Sequence, residues 1–103
     1  MTMNVMKLMK QAQAMQQNVQ KLQEELAQRE YSFSAGGGAV TAVAGGDMLV
    51  KQVTISPQVA DPNDMDMLQD LVISAVNGAL SAARDDASAE MGKITGGLNI
   101  PGM

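Results

Sequence analysis

The sequence predicts an α+β fold: a long N-terminal helix, a three-stranded antiparallel meander, a long C-terminal helix and a flexible tail. Three observations carry that expectation. Val5, Leu8, Ala12, Met15, Val19, Leu22 and Leu26 are spaced alternately by three and four residues, the seam of a long helix. From Tyr31 the apolar period drops toward two, and two glycine clusters punctuate the run. From Leu68 to Ala83 a helical stripe returns.

The first helix carries Gln11, Gln13, Gln16, Gln17, Asn18, Gln20 and Gln23 between its seam positions, with neither Gly nor Pro. Residues 5–26 would span roughly 30–40 Å at about 1.5 Å per residue. A small domain cannot cover that length, so part of the helix projects or lies against a second copy. With Val5 at heptad position a, Lys7 and Lys21 fall at c and Lys10 at f, away from the seam. That basic face reads equally as an ordinary solvated surface or as one that contacts phosphates. The flanking e and g positions are mainly amides, so the usual charge code for coiled-coil partner choice is missing.

Residues 31–35 alternate apolar and polar and form the first strand; Gly36-Gly37-Gly38 is the turn after it. The triple glycine lacks the Gly-Lys-Ser/Thr ending of a phosphate-binding loop, and no helix follows. Residues 39–44 are the second strand, Gly45-Gly46-Asp47 the second turn, and residues 48–56 the third strand, stopped by Pro57. In that strand Leu49, Lys51, Val53 and Ile55 share one face by alternation, and Met48, Val50, Gln52 and Thr54 the other. A meander this small needs a cover on its apolar face.

The second helix is expected over about 62–93, with Pro62 in its first turn and Asp64, Asp66 and Asp70 near its positive end. The aspartates do not make a calcium loop, because Met65 and Asp66 stand where Asp/Asn and Gly are required. Leu68, Leu71, Val72, Ala75, Val76, Ala79, Leu80 and Ala83 form its buried stripe, and Gly78 in mid-helix marks a close contact. Residues 1–93 thus read as one domain, with the first helix over about 3–30, and residues 94–103 as a flexible Gly/Pro tail.

The 103 residues contain no cysteine and no histidine, so a disulfide framework, a thiolate nucleophile and the commonest general base are all absent. Neither a cofactor nor a metal site is expected. Tyr31 and Phe33 are the sole aromatics, so Met, Leu, Val and Ala must fill the core, with the ten methionines as gap-fillers in the helix seams. A core so poor in large side chains gains by burial in a dimer. Leu8, Met15, Leu22, Val53, Ile55, Leu71, Val72 and Val76 are the residues expected to form the core or a dimer contact. No signal peptide or apolar run of about 20 residues is visible, which places the protein in the cytoplasm by default and off the membrane. The net charge of −4 hides a gradient: Lys7, Lys10 and Lys21 are the only charges before Glu24, whereas residues from Asp61 onward sum to −5.

The order of elements, together with local strings, resembles the YbaB/EbfC family of bacterial nucleoid-associated proteins. The strings are Leu8-Met9-Lys10-Gln11-Ala12-Gln13, Gln23-Glu24-Glu25-Leu26, Val53-x-Ile55-x-Pro57, Met67-Leu68-x-Asp70-Leu71-Val72, Ala75-x-Asn77-x-Ala79 and Gly96-Gly97-Leu98-x-Ile100-Pro101-Gly102. The resemblance covers nearly the whole chain. It implies a homodimer in which the meanders associate and the long helices project like tweezers. It also implies binding of double-stranded DNA that influences nucleoid organisation and gene expression, without enzymatic activity. The matching DNA-facing positions are Lys7, Lys10 and Gln11, to which Lys21 is added. Family members often carry several basic residues near the end of the second helix; here Arg84 stands beside Asp85 and Asp86.

Three readings follow. The first is a dimeric nucleoid protein that binds DNA through the lysine face. The second is an adaptor of the same fold that docks through its acidic second helix onto a DNA-processing protein. The third, an enzyme, has the least support, since the carboxylates lack a His, Cys or Lys partner at useful spacing.

Overall fold

The computed structural model describes residues 4–96. Helix α1 (Val5–Gln28) leads into β1 (Glu30–Ala35), β2 (Val40–Gly45) and β3 (Val50–Ile55), and a 3-10 turn (Pro57–Val59) passes to helix α2 (Met65–Gly96). The strands form one antiparallel sheet in the order β1-β2-β3, the expected meander. The molecule is long and thin, 75 × 26 × 16 Å, because α1 touches the rest of the protein only near its C-terminal end.

The core is built from small side chains. Val40, Ala42 and Ala44 of β2 face Ala75 and Ala79 of α2, all fully buried, with Leu68, Leu71, Val72, Val76 and Leu80 packed around them. Alanine against alanine lets the helix axis approach the central strand closely. A helix about 10 Å across spans about two strands spaced roughly 4.8 Å apart. Accordingly α2 covers β1 and β2 and leaves β3 bare; every residue of β3 is exposed. Val53 and Ile55 are 38% and 40% exposed, so they lie outside the core of a single chain. Gly78 is required where expected: the Phe33 ring occupies the space a Cβ would fill.

The seam of α1 is buried over its last two turns, half-buried back to Met15 and bare beyond. Leu22 and Leu26 are buried and Met15 and Val19 half-buried, but Leu8 is 47% exposed and Val5 more so. Periodicity marks the face a partner would take, not how far the partner reaches, and within one chain the partner ends near Met15. Leu8 is therefore no core residue of the protomer. The methionines also depart from expectation: none among the described residues is buried, so they do not fill gaps within one chain.

The turn after β2 is longer than the glycines suggested. Gly45 N–H donates to Leu49 O, Met48 N–H to Gly45 O, and the positive φ falls on Met48 at 64° rather than on a glycine. Asp47 accepts from Leu49 N–H and pairs with Lys51 at 2.8 Å, which stiffens the turn. The third strand accordingly begins at Val50, not at residue 48, and an irregularity opposite Val43/Ala44 pairs Val50 with the buried Ala44. That undoes the simple alternation expected for residues 48–56: Val53 and Ile55 keep a common side, whereas Leu49 falls in the turn. Gly46 is needed for a different reason, since a Cβ there would overlap the Leu26 carbonyl oxygen.

Helix α2 starts at Met65, three residues later than expected, because Asp64 is the cap: its Oδ1 accepts from Met67 N–H at 3.2 Å. Pro62 sits in the preceding turn, where Asp61 Oδ1 accepts from Asn63 N–H. The helix continues to Gly96, so residues 94–96, assigned to the tail, lie on its last turn; residues 97–103 fall outside the described residues.

Gly46→Ala should lower unfolding free energy by about 1–3 kcal/mol, because the overlapping atom is a backbone oxygen that cannot rotate away. Gly92→Ala, on the open side of α2 with nothing within 4 Å of the added carbon, should raise it by up to about 1 kcal/mol through helix propensity. Urea melts of the two variants, read at constant slope, check the opposite signs.

Candidate nucleic-acid interface

The exposed part of α1 carries Lys7, Lys10, Gln11 and Lys21, each on the surface. At 3.6 residues per turn successive residues rotate by about 100°, which puts these four within an arc of roughly 100°. The arc lies beside the bare apolar seam, not within it. Asn4, Lys7, Leu8 and Gln11 line one shallow concavity at the helix tip. As a group, the lysines and Gln11 thus lie to one side of the seam rather than directly opposite it.

Local rules make this tip electropositive. Asn4 caps the helix, its Oδ1 accepting from Lys7 N–H at 3.0 Å. No acidic residue occupies the first turn, so the positive end of the helix dipole is left uncompensated and Lys7 adds to it. None of the three lysines makes an ion pair among the described residues. The first acids, Glu24 and Glu25, come only where the helix reaches the body.

The opposite end of α1 is held by a polar cluster that the sequence did not reveal. Arg29, the C-cap residue, directs Nη1 to Asp86 Oδ2 at 2.9 Å and to Glu90 Oε1 at 3.7 Å. The Tyr31 hydroxyl donates to the same Asp86 oxygen, and Lys93 reaches Glu90 at 3.1 Å. The Tyr31 hydroxyl and then the Arg29 guanidinium hold the Asp86 carboxyl below its usual range, against the effect of its partial burial. Tyr31 is pushed up, first by burial and then by donating to the Asp86 carboxylate. The partners lie 55 and 57 residues apart in sequence, and isolated charges on a half-exposed helix face leave no periodic trace. The one available signal was the presence of a single tyrosine beside the end of α1.

Of the remaining residues singled out, Leu22 is buried, and Leu71, Val72 and Val76 are half-buried around the core. Val53 and Ile55 belong to a separate apolar surface. Ile55, Leu68, Gln69, Val72 and Ile73 line an open groove between β3 and α2, and Ile73 is 57% exposed. No group of three or more acidic side chains is arranged to hold a metal ion among the described residues. No helix of these residues is long and apolar enough to cross a membrane.

This small α+β protein thus extends a basic, amide-rich helix away from its body. The sequence matches the profile of the YbaB/EbfC DNA-binding family over residues 1–98, and the chain belongs to that family. It is 54% identical to a nucleoid-associated protein of Clostridium novyi, over 98% of this chain and 89% of the relative. It is 52% identical to one of Acetivibrio thermocellus, over 97% and 89%. The fold matches the crystal structure of an uncharacterized Helicobacter pylori protein with a TM-score of 0.80 at 18% identity, covering 91% of this chain and 99% of that one.

Tyr31 is the sole tyrosine and tryptophan is absent, so ultraviolet absorbance reports this phenol alone. Its alkaline titration should run above the ordinary tyrosine value of about 10 and move back toward it in Asp86→Asn. Stability linked to Asp86 is present above the unfolded carboxyl value of about 4 and is lost as pH falls through the lower folded value. Stability linked to Tyr31 is present below about 10 and lost as pH rises through its higher folded value. Thermal melts across pH should therefore show a plateau bounded on both sides, with the acid edge weakened in Asp86→Asn.

Proposed function

We propose that this protein is a nucleoid-associated protein that binds double-stranded DNA as a homodimer, with Lys7, Lys10, Gln11 and Lys21 of α1 facing the duplex. The carrying observation is the uncompensated positive tip of a projecting helix in a chain whose net charge is −4. Lysines at these positions neutralise phosphates, and the Gln11 amide donates to the backbone or to a base edge. Binding influences nucleoid organisation and gene expression by occupying and shaping DNA; no catalytic step is required. The protein acts in the cytoplasm, at the nucleoid.

Dimerisation is supported by the apolar surface that α2 leaves bare. Val50, Val53 and Ile55 of β3 continue into Leu68, Val72 and Ile73 of α2. Association of two such faces would bury them and direct the two α1 helices outward as a pair. Edge-to-edge pairing through β3 is opposed by Lys51 at the strand irregularity, since a charge and a bulge both blunt an edge.

The adaptor reading has less support. Asp61 and Asp64 are occupied in turns and caps, and Asp86 and Glu90 in ion pairs with Arg29. Of the acids from Asp61 onward, Asp66 and Asp70, one turn apart on α2, and the distant Asp85 are left, few for an acidic dock.

Each neutralised phosphate contributes about 0.9 to the slope of log affinity against log salt. Three lysines on each of two arms predict a slope near −5, and Lys7→Gln/Lys10→Gln should reduce it to about −2 with folding unchanged. Fluorescence anisotropy with a duplex at several salt concentrations checks this. Val53→Glu/Ile55→Glu should convert the dimer to a folded monomer by sedimentation at micromolar concentration, and a wild-type protein that sediments as a compact monomer would refute the dimer.

A further inference from the structure

The projecting helix has a thin root. Only Leu22 and Leu26 of α1 are buried, with Met15 and Val19 half-buried, so a few apolar side chains and polar contacts decide the angle of the helix, some 25 Å of which, at about 1.5 Å per residue, lies before Leu22. A tilt of about 10° at that root displaces the tip by about 4 Å, more than the axial step of about 3.4 Å between successive phosphates on one strand. Two backbone hydrogen bonds fix the pivot: Arg29 N–H to Leu26 O at 3.0 Å and Gly46 N–H to Arg29 O at 3.1 Å. A pivot of this kind sets a position and leaves the direction free. The groups that restrain direction are the Arg29 side chain, reaching Asp86 and Glu90 one turn apart on α2, and the Tyr31 hydroxyl, which holds Asp86 from the sheet side.

We infer that the Arg29–Asp86–Tyr31 cluster is a positioning strut that fixes the angle of α1 and thereby sets DNA affinity without touching DNA; this rests on the DNA-binding reading above. Arg29, Tyr31 and Asp86 are positioning residues. The strut ties the junction where α1 ends, β1 and α2 at one carboxylate oxygen, and the planar guanidinium supplies directional donors that a looser cation does not. Releasing it spreads the arm over many orientations, and apparent affinity falls in proportion to the fraction still competent to bind.

The charge on Asp86 makes the test sharp, because electrostatics alone and the strut predict opposite signs. Asp86→Asn removes a negative charge, which by itself strengthens binding to DNA; the strut requires binding to weaken. Asp85→Asn removes the same charge at a neighbouring position that has no ion pair among the described residues, and Tyr31→Phe removes one hydroxyl with no change in charge. Since the chain has no cysteine, Gln13→Cys and Ser81→Cys allow spin labels on exposed positions of α1 and α2. Dilution with unlabelled protein then leaves only distances within one chain.

In duplex titrations at fixed salt, Asp86→Asn and Tyr31→Phe should raise Kd about three- to tenfold with the salt slope unchanged, while Asp85→Asn leaves Kd equal or lower. The distance distribution between positions 13 and 81 should broaden in the first two variants and stay narrow in the third. The strut is overturned if Asp86→Asn binds as tightly as Asp85→Asn, or if binding weakens while the distances stay unchanged. Should the wild type fail to bind duplex DNA, the DNA reading falls separately, and the distances alone decide: broadening upholds the strut and no change overturns it. If Asp86→Asn does not fold, Tyr31→Phe carries the same comparison.

Discussion

The contact on which the rest of this structure depends is the packing of Ala75 and Ala79 on Ala42 and Ala44. Small side chains on both faces bring α2 close to the central strand, and closeness fixes what one helix can shield. It shields β1 and β2, leaving the outer side chains of β3 in water. Helix α1 meets the body mainly on α2, through its final turns. The exposed apolar strand is thus a consequence of that packing. A core of larger residues would hold α2 farther off and change which strands it covers.

That arrangement divides the molecule into a body with an exposed apolar surface and an arm with an exposed basic face. Met65, Met67, Ile73, Val53 and Ile55 are all well exposed on the body, an apolar extent that a monomer rarely leaves in water. On the arm the acids are displaced toward the root, where Glu24, Glu25 and Glu30 stand, and the lysines lie beyond them. The acidic charge of the whole chain therefore says little about its surface at the tip. Local field, rather than net charge, decides which anions approach there.

Where the sequence was legible, a period or a special backbone requirement made it so. The heptad of α1, the return of helical spacing at Leu68 and the glycine turns gave the order of elements, and Gly78 pointed to a close approach that proved to be the Phe33 ring. The extent of each interface was not legible, because a stripe looks the same whether or not it is covered; Leu8 and Leu22 are equivalent in the pattern and opposite in burial. The start of α2 was ambiguous because several aspartates can cap, and the 3-10 turn selects Asp64. The irregularity in β3 follows from a turn closed by Asp47 and a left-handed Met48, for which alternation has no vocabulary. Of the candidate site, the lysine arc was readable from spacing alone. The root cluster was not, since long-range pairing of isolated charges carries no local signal.

The polar root also explains how so slight an attachment can still be directional. Apolar contacts such as those of Leu22 and Leu26 attract without preferring an angle, whereas hydrogen bonds weaken steeply as their geometry departs from linearity. Half-exposed ion pairs add little to stability, so the value of Arg29 and Asp86 to this fold lies in orientation more than in free energy. A projecting arm needs that division of labour: burial keeps it attached, and a few directional bonds at the base decide where its far end stands.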